Sequence, residues 1–209
     1  MNFSFGIVTD YSNPQRLEES INSIRGLNIP HYEIVVVGGA IIIPTQQSDI
    51  RHIFFDDAKY PMWVTRKKNI AVKESRYDNV VLCHDYYTFD KDWYVKYKEF
   101  GDDWEICSNA QHLITGKRHF TDWVVWDSPI YPRYHSLDYN DWSHTQYMYI
   151  SGGYFLVKKH VFDQQPFNEK LVWGQAEDVE WSLRVRDKYL IKCNGNSIVK
   201  HNKVHRDAL

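Results

Sequence analysis

Apolar and polar positions follow two patterns along the first half of the chain. Short, mostly apolar runs have the length and composition of buried strands, and they lie at 3–10, 32–39, 51–57 and 79–83. The segments between these runs include apolar residues repeated at the three- and four-residue spacings of a helix. Alternation of strand and helix predicts an open α/β sheet, in which strand, helix, strand units are right-handed.

Two of the predicted helices carry boundary signals. Asn13 fits an N-cap and Pro14 fits the first helical position, while Gly26 is predicted to end that helix in a left-handed conformation. A second helix is predicted over 66–75, with Thr65 as its cap.

The second half of the chain has a long stretch without either period. A helix over 91–100 closed by Gly101, strands at 104–108 and 152–159, a helix beginning near 177, and a strand, turn, strand and tail at 191–205 are predicted around it. The stretch 109–149 is predicted to be irregular, and it is rich in rings. Aromatic residues make up 16% of the chain, which argues against disorder there.

Bulk composition narrows the class of protein. A chain of 209 residues favours one compact domain. The formal charge is -2, from 25 basic and 27 acidic residues, so no overall basic surface would attract nucleic acid. No run approaches the ~18 apolar residues of a membrane span, and the start lacks the features of a signal peptide, so we expect a soluble, cytoplasmic protein without an integral membrane segment. Three widely separated cysteines are expected to be reduced core residues.

Polar and glycine residues follow the predicted strands at their carboxyl ends. Ligands of open α/β sheets bind at that edge, so these residues are expected to share one rim. They are Thr9, Asp10, Tyr11, Gly38, Gly39, His84 and Asp85.

Glu177 and Asp178 stand side by side at the start of a predicted helix, just after Trp173 and Gly174. One interpretation is structural, because acidic residues in a first turn accept from free backbone N–H groups and face the positive end of the helix dipole. The other is catalytic, with a carboxylate accepting a proton. The pair alone does not decide between them.

Six blocks follow one another along the chain: IVTDYSNPQRLEESINSI, EIVVVGG, TRKKNIAVKE, VVLCHDYYTFDKDW, ISGGYFLVKKHVF and WGQAEDVEWSLRVR. In this order they resemble the nucleotide-sugar glycosyltransferases of the GT-A fold, family-2-like, and the later blocks resemble the β-1,4-galactosyltransferase branch. The resemblance implies a single GT-A (Rossmann-like) α/β domain with a mixed, mostly parallel central sheet flanked by helices. It further implies a nucleotide-binding half, 1–105, and an acceptor-binding and catalytic half, 106–209.

The resemblance implies a donor site along the predicted rim. Thr9 and Tyr11, with Asp10 between them, match residues that contact the nucleotide base, and Gly38 and Gly39 stand where the family usually has an Asp. The basic segment of Arg66, Lys67 and Lys68 matches cations near the diphosphate. The alternative for that segment is a solvated helix face.

A divalent metal, Mn²⁺ or Mg²⁺, is also implied by the resemblance. The family's Asp-x-Asp motif is replaced by CHDYY, in which Asp85 is the expected ligand and His84 a second one, since Mn²⁺ also accepts imidazole. His201 is the expected late ligand, with His205 as the other candidate. Two alternatives remain open: Asp85 is an ordinary turn residue, and a histidine stands at position 201 by chance without binding a metal.

The same resemblance places the acceptor side in the second half of the chain. Asp178 is the implied general base and Glu177 the residue that binds hydroxyls. Residues implied to contact the acceptor or the sugar are Gly152, Gly153, Trp173, Gly174 and Trp126, and further rings of the acceptor and lid loops are Trp123, Tyr131, Tyr134 and Trp142.

The sequence therefore predicts an inverting glycosyltransferase that moves a sugar from a nucleotide-diphosphate donor, by analogy a UDP-sugar, to a hydroxyl of a glycan or other acceptor. The alternative is a non-catalytic carbohydrate-binding module on the same fold. A sugar-phosphate nucleotidyltransferase should carry a Gly-rich loop after the first strand, and residues 9–20 contain no glycine.

Overall fold

The computed structural model describes residues 1–39, 48–131 and 133–203. Its main sheet elements alternate with helices in the first half of the chain. In order these are β1 (Phe3–Val8), α1 (Pro14–Arg25), β2 (Tyr32–Gly38), β3 (Ile50–Phe54), α2 (Val64–Lys73), β4 (Asn79–His84), β5 (Tyr87–Phe89) and α3 (Trp93–Phe100).

The second half contributes three strands to the main sheet, and it also forms a separate small sheet of three strands. Its elements are β6 (Ile106–Leu113), β7 (Val124–Trp126), β8 (Tyr134–Ser136), a 3₁₀ turn (Thr145–Tyr147), β9 (Met148–Tyr149), β10 (Tyr154–Lys158), α4 (Lys159–Gln164), α5 (Glu177–Val185) and β11 (Ile191–His201).

The main sheet has eight strands in the order β3-β2-β1-β4-β10-β6-β11-β5. Strands β1 to β4 run parallel to one another, β10 is antiparallel to both β4 and β6, and β11 is parallel to β6 but antiparallel to β5. The predicted α/β fold with a mixed, mostly parallel sheet is confirmed.

Both faces of the sheet are covered, as the apolar runs require. In β2, Ile34 and Val36 pack into the cluster that contains α1 and α3, whereas Val35 and Val37 pack into the opposite cluster with α2 and α5. Successive residues of a strand point to opposite faces, so a strand buried on both sides reads as a continuous apolar run. Because β1 and β4 are parallel neighbours in this sheet, their carboxyl ends lie at the same rim.

Helix boundaries were predicted in part. Asn13 does cap α1, because its Oδ1 accepts from the backbone N of Arg16 at 3.2 Å. The left-handed ending at Gly26 is wrong, since Gly26 has φ -67° and the left-handed residue is Asn28. Thr65 does not cap α2: it lies inside the helix, and its hydroxyl donates to the carbonyl of Leu171 at 2.6 Å.

The stretch 109–149 is more regular than predicted. Strand β6 continues to Leu113, and β8, β7 and β9 form a three-stranded antiparallel sheet. Strands of two or three residues are too short to show an alternating pattern, so the sequence did not reveal them. The predicted strand, turn and strand after 191 is one strand, β11, with a register shift between Asn194 and Ile198.

Two further observations concern the predicted class of protein. Cys83, Cys107 and Cys193 are buried and form no disulfide, as expected. Within the described ranges, no helix has the length and apolar composition needed to cross a membrane. His205 lies outside the described residues.

Candidate active site

A cavity of about 350 Å³ opens at the carboxyl ends of β1 and β4. Six of the predicted site residues line it: Thr9, Asp10, Lys67, His84, Asp85 and Trp173. The lining also includes Tyr86 of the CHDYY motif and residues that no sequence pattern indicated, among them Arg16, Asp57, Met62 and Lys203. Of the seven residues of the predicted rim, four line this cavity, whereas Tyr11, Gly38 and Gly39 do not. Charged groups of both signs lie in the cavity wall.

Thr9 and Asp85 connect the two strand ends. The Thr9 hydroxyl donates to Oδ2 of Asp85 at 2.5 Å and accepts from the backbone N of Tyr11 at 2.8 Å. Tyr11 has a left-handed backbone, φ 58°, which turns the chain away from β1. Burial raises the pKa of Asp85, while the Thr9 hydrogen bond opposes that rise. Asp85 is thus a fixed, buried carboxyl group and not merely a solvent-exposed turn residue.

Lys67 joins the rim to Asp57, a carboxylate that no sequence pattern indicated. Its Nζ donates to the carbonyl of Thr9 at 2.9 Å and to Oδ1 of Asp57 at 2.7 Å. Oδ2 of Asp57 is buried and has no hydrogen-bond partner among the residues that the structure describes. A Cβ on Gly39 would lie 3.8 Å from this oxygen, so Gly39 borders Asp57, whereas the carbonyl of Gly38 accepts from Phe55 N.

The three consecutive cations of α2 point in three directions, since adjacent helical residues are separated by about 100°. Arg66 lies outside the cavity lining, 3.8 Å from Oε2 of Glu169 and over the ring of Trp63. Only Lys67 lines the cavity. The interpretation as a solvated face fits Arg66 and not the two lysines, which are both buried.

Lys68 faces the paired carboxylates. Its Nζ lies 3.8 Å from Oε1 of Glu177 and 4.7 Å from the centroid of the Phe167 ring. The residue is only 1% exposed, and burial lowers the pKa of Lys68 while Glu177 and Asp178 oppose that effect. For the carboxyl group of Glu177 burial has the opposite effect: it raises the pKa, and the charge of Lys68 opposes that rise. The two groups form a buried ion pair beside the start of α5.

Asp178 is held by groups from outside its own helix. Its Oδ2 accepts from the Tyr149 hydroxyl at 2.5 Å and from the backbone N of Gly152 at 3.2 Å, while Oδ1 accepts from Val179 N at 2.9 Å. The N-cap residue of α5 is Ala176, which provides no side-chain cap. The capping interpretation therefore accounts for one oxygen of Asp178 and not for the other.

Gly152 and Gly153 leave room for side chains of the site. A Cβ on Gly152 would lie 2.9 Å from Nζ of Lys68 and 3.0 Å from Cβ of Asp178. A Cβ on Gly153 would lie 3.0 Å from the Tyr87 hydroxyl and 3.4 Å from that of Tyr86. Their predicted contact with a sugar stays a prediction, but protein packing alone already requires small residues here.

The predicted metal ligands do not come together as a set. The His84 ring stacks on Tyr86, and burial together with Lys68 and Lys67 holds the pKa of His84 well below its usual value. His201 is buried against the rings of Tyr86, Tyr87 and His119. In the described part of the chain, no group of three His, Cys, Asp or Glu residues is arranged to hold a metal. Asp85 and His84 alone border the cavity, so Mn²⁺ or Mg²⁺ stays a prediction.

The predicted sugar-binding aromatics occupy two places. Trp173 is 56% exposed, lines the cavity, and donates from its backbone N to the carbonyl of Met62 at 2.9 Å. Gly174 follows it with φ 83°, a conformation that favours glycine. Trp126 lies instead at the end of β7, with its ring centroid 6.2 Å from that of Tyr149.

Comparison with solved structures identifies the fold. S. aureus TarS 1-349 superposes with a TM-score of 0.65 at 15% identity, covering 97% of this chain and 60% of that one. Its complex with UDP-GlcNAc gives 0.66 at 15% identity, covering 98% and 59%. The complex with UDP gives 0.57 at 16% identity, covering 98% and 59%. The chain thus spans about 60% of the length of these structures.

This likeness confirms that the chain has the GT-A glycosyltransferase fold, as one Rossmann-like domain. At such identities it shows the fold alone. No protein-family model matches the sequence, and no curated protein does. The resemblance of the later blocks to the β-1,4-galactosyltransferase branch stays a prediction.

Proposed function

We propose that this chain is a glycosyltransferase that moves a sugar from a UDP-sugar to a hydroxyl of a glycan or other acceptor by direct displacement with inversion. Two observations carry the proposal: the Asp178 carboxylate is held in place by Tyr149 and Gly152, and a cavity at the strand ends has cationic groups in its wall. The GT-A fold supports it, as do the TarS structures with UDP and UDP-GlcNAc.

Tyr86 connects the cavity to the carboxylate. It lines the cavity, and its hydroxyl lies 3.4 Å from the position of a Cβ on Gly153, the neighbour of the glycine that donates to Asp178. A donor whose nucleotide lies in the cavity would therefore extend its sugar past Tyr86 toward Asp178. The predicted division into a nucleotide-binding half, 1–105, and a catalytic half, 106–209, is part of this proposal.

Asp178 would take the proton of the acceptor hydroxyl as that oxygen attacks the anomeric carbon. Burial and the two acidic neighbours raise the pKa of Tyr149, so its hydroxyl stays protonated and keeps donating to the carboxylate. Glu177, paired with Lys68, would accept from sugar hydroxyls.

Charge on the departing diphosphate would be offset on the opposite side of the sugar. Lys67, Arg16 and Lys203 are the cationic groups of the cavity wall. Asp85 and His84 are the two residues there that would hold the predicted divalent ion, whose chemistry would be further neutralisation of the diphosphate. The three cations can act on the diphosphate without it.

A calorimetric titration with UDP, GDP, dTDP and CMP, with and without Mn²⁺, tests the donor site. We expect UDP to bind, and Lys67→Met to weaken that binding by about tenfold or more, because charge-assisted contacts contribute ~1.5–3 kcal/mol. Lys73→Met, an exposed lysine of the same helix, is the matched control. Absence of binding by all four nucleotides would contradict the proposal.

Release of sugar from a UDP-sugar separates an enzyme from the alternative, a non-catalytic carbohydrate-binding module. UDP-glucose, UDP-galactose and their N-acetylamino forms are suitable donors. Slow hydrolysis of one of them, lost in Asp178→Asn, is expected of the enzyme. A module would bind carbohydrate and leave all four donors intact.

A further inference from the structure

Exposed aromatic side chains cluster on the small sheet. Phe120 is 53% exposed, Tyr134 51% and Trp126 39%. Single exposed rings are ordinary on protein surfaces, but a contiguous group of them marks a binding site. Together with the partly exposed Tyr149 we call these four residues the aromatic strip.

Three of the four rings lie on one face of the small sheet, and the fourth, that of Phe120, contacts one of them from outside the sheet. Trp126 and Tyr134 are direct cross-strand partners in the antiparallel pair of β7 and β8, so both side chains point to the same face. Tyr149 pairs with Val124, two residues before Trp126 and therefore on that face as well. Ring centroids are 6.0 Å apart for Phe120 and Tyr134, and 6.2 Å for Trp126 and Tyr149.

One end of the aromatic strip is the proposed base. The Tyr149 hydroxyl donates to Oδ2 of Asp178, and its ring contacts Trp126. From there the strip continues through Tyr134 to Phe120 at the protein surface. A ligand lying along it would have one end at the carboxylate and the other in solvent.

The backbone beneath the strip is fixed by contacts from other segments. Arg186 donates from Nη1 to the carbonyl of Trp126 at 3.1 Å, and the Ser136 hydroxyl donates to the carbonyl of Phe120 at 3.3 Å. Val125, on the opposite face of β7, is fully buried. Because the backbone that carries the rings is already fixed, a ligand would have to order only their side chains on binding.

We propose that the aromatic strip binds a chain of several linked sugars, whose terminal hydroxyl lies at Asp178. This rests on the proposed function and names its acceptor as an oligosaccharide or longer glycan. Aromatic rings are suited to the apolar faces of sugars, while their polar edges accommodate hydroxyl groups. A small hydroxyl acceptor would reach Tyr149 and leave Tyr134 and Phe120 without a role.

Oligosaccharide binding tests the strip directly. Linear glucan, chitin, galactan and mannan oligosaccharides of one to six sugars are titrated into the protein by calorimetry. We expect one series to bind with an affinity that rises about 3- to 10-fold for each added sugar that reaches a further ring. Failure of every series to bind, or affinity independent of chain length, would overturn the proposal.

Variants assign the effect to the strip. Trp126→Ala and Tyr134→Ala should each lower affinity for the longer oligosaccharides by a similar factor, while leaving that for a single sugar less affected. Phe54→Ala, which removes a ring 63% exposed at the edge of the main sheet, is the matched control. Equal affinities in all three variants would contradict the assignment.

UDP titration of the same variants separates this inference from the proposed function. Suppose that the wild type and both strip variants bind UDP equally well and that no oligosaccharide binds. The inference about the aromatic strip would then be wrong, and the proposed donor site would remain supported. Strip-dependent oligosaccharide binding without any nucleotide binding would instead remove the transferase function and leave a carbohydrate-binding surface.

Discussion

The Tyr149 hydroxyl donates a 2.5 Å hydrogen bond to Oδ2 of Asp178. Tyr149 belongs to the small sheet and Asp178 to α5, so no local sequence pattern indicates that the two residues are in contact. With Gly152 N on the same oxygen, the carboxylate keeps one orientation at the end of the proposed acceptor path. A fixed orientation is what a general base needs in order to meet an incoming hydroxyl.

Asp178→Asn should abolish most of the transfer and preserve donor binding. The amide has nearly the same shape but cannot take a proton, so we expect a loss of about 10²–10⁴-fold in kcat. UDP affinity, measured by calorimetry, should be unchanged because Asp178 does not line the cavity. Asp187→Asn, an exposed acid just beyond α5, is the control. Near-normal turnover of Asp178→Asn would exclude it as the base.

Lys68→Met should move the acid limb of the pH–rate profile to higher pH. Burial raises the pKa of Glu177, and the Lys68 cation holds that rise down. Without the cation the pKa of Glu177 rises further, so its carboxylate is protonated at a higher pH than in the wild type. Transfer rates from pH 4 to 8, with Lys73→Met as control, measure the shift. Superimposable profiles would show that Lys68 does not govern the ionisation of the site.

The sequence predicted those parts of the site that follow from strand topology. Thr9 and Asp85 could be placed together because each directly follows a buried parallel strand, and such strands end at one edge. The contact of Gly152 and Gly153 with a sugar stays a prediction, and their close packing against Lys68, Asp178 and Tyr87 could not be foreseen from the sequence. A local pattern is sufficient wherever the fold class itself determines position.

Other parts depend on contacts between distant segments and left no local signal. Asp57 and Lys203 reach the cavity from the end of β3 and from beyond β11. Lys67 and Lys68 are adjacent in sequence, yet the helix turns one toward the cavity and the other toward Glu177. A basic run therefore indicated cations near the site without showing which residue faces which group.

Asp57→Asn should weaken UDP binding more than CMP binding. Oδ2 of Asp57 lacks a partner in the described residues, and Asp57 lines the cavity, so a ring N–H of uracil is a suitable donor to it. Cytosine has no such N–H. We expect about a tenfold loss for UDP by calorimetry. Asp56→Asn, whose Oδ1 accepts from Lys59 N, is the neighbouring control. Equal losses for both nucleotides would mean that Asp57 acts only through Lys67.

Mn²⁺ should strengthen UDP binding through Asp85. A divalent ion between a carboxylate and a diphosphate adds contacts that Asp85→Asn would lose, so the variant should bind UDP equally well in Mn²⁺ and in EDTA. The wild type should bind more tightly in Mn²⁺. Identical wild-type affinities in Mn²⁺ and EDTA would exclude the predicted ion and leave Lys67, Arg16 and Lys203 as the groups that offset the diphosphate.

Gly152→Ala should lower both stability and transfer, since the space for a methyl group is already occupied. The new Cβ would lie 2.9 Å from Nζ of Lys68, which can move, and 3.0 Å from Cβ of Asp178, which is fixed by its helix. Relief requires a shift of α5 against the segment 150–153, and overpacking of this kind costs about 1–3 kcal/mol of unfolding free energy. The same shift would displace the Asp178 carboxylate from the acceptor path, so kcat should fall more than UDP affinity.

Gly26→Ala is the matched control, because Gly26 has an ordinary φ and its Cβ would meet nothing closer than 3.5 Å. Denaturant unfolding and transfer assays on both variants decide the matter: if Gly152→Ala behaves like Gly26→Ala in each assay, the close packing of Gly152 against Lys68 and Asp178 does not constrain the site.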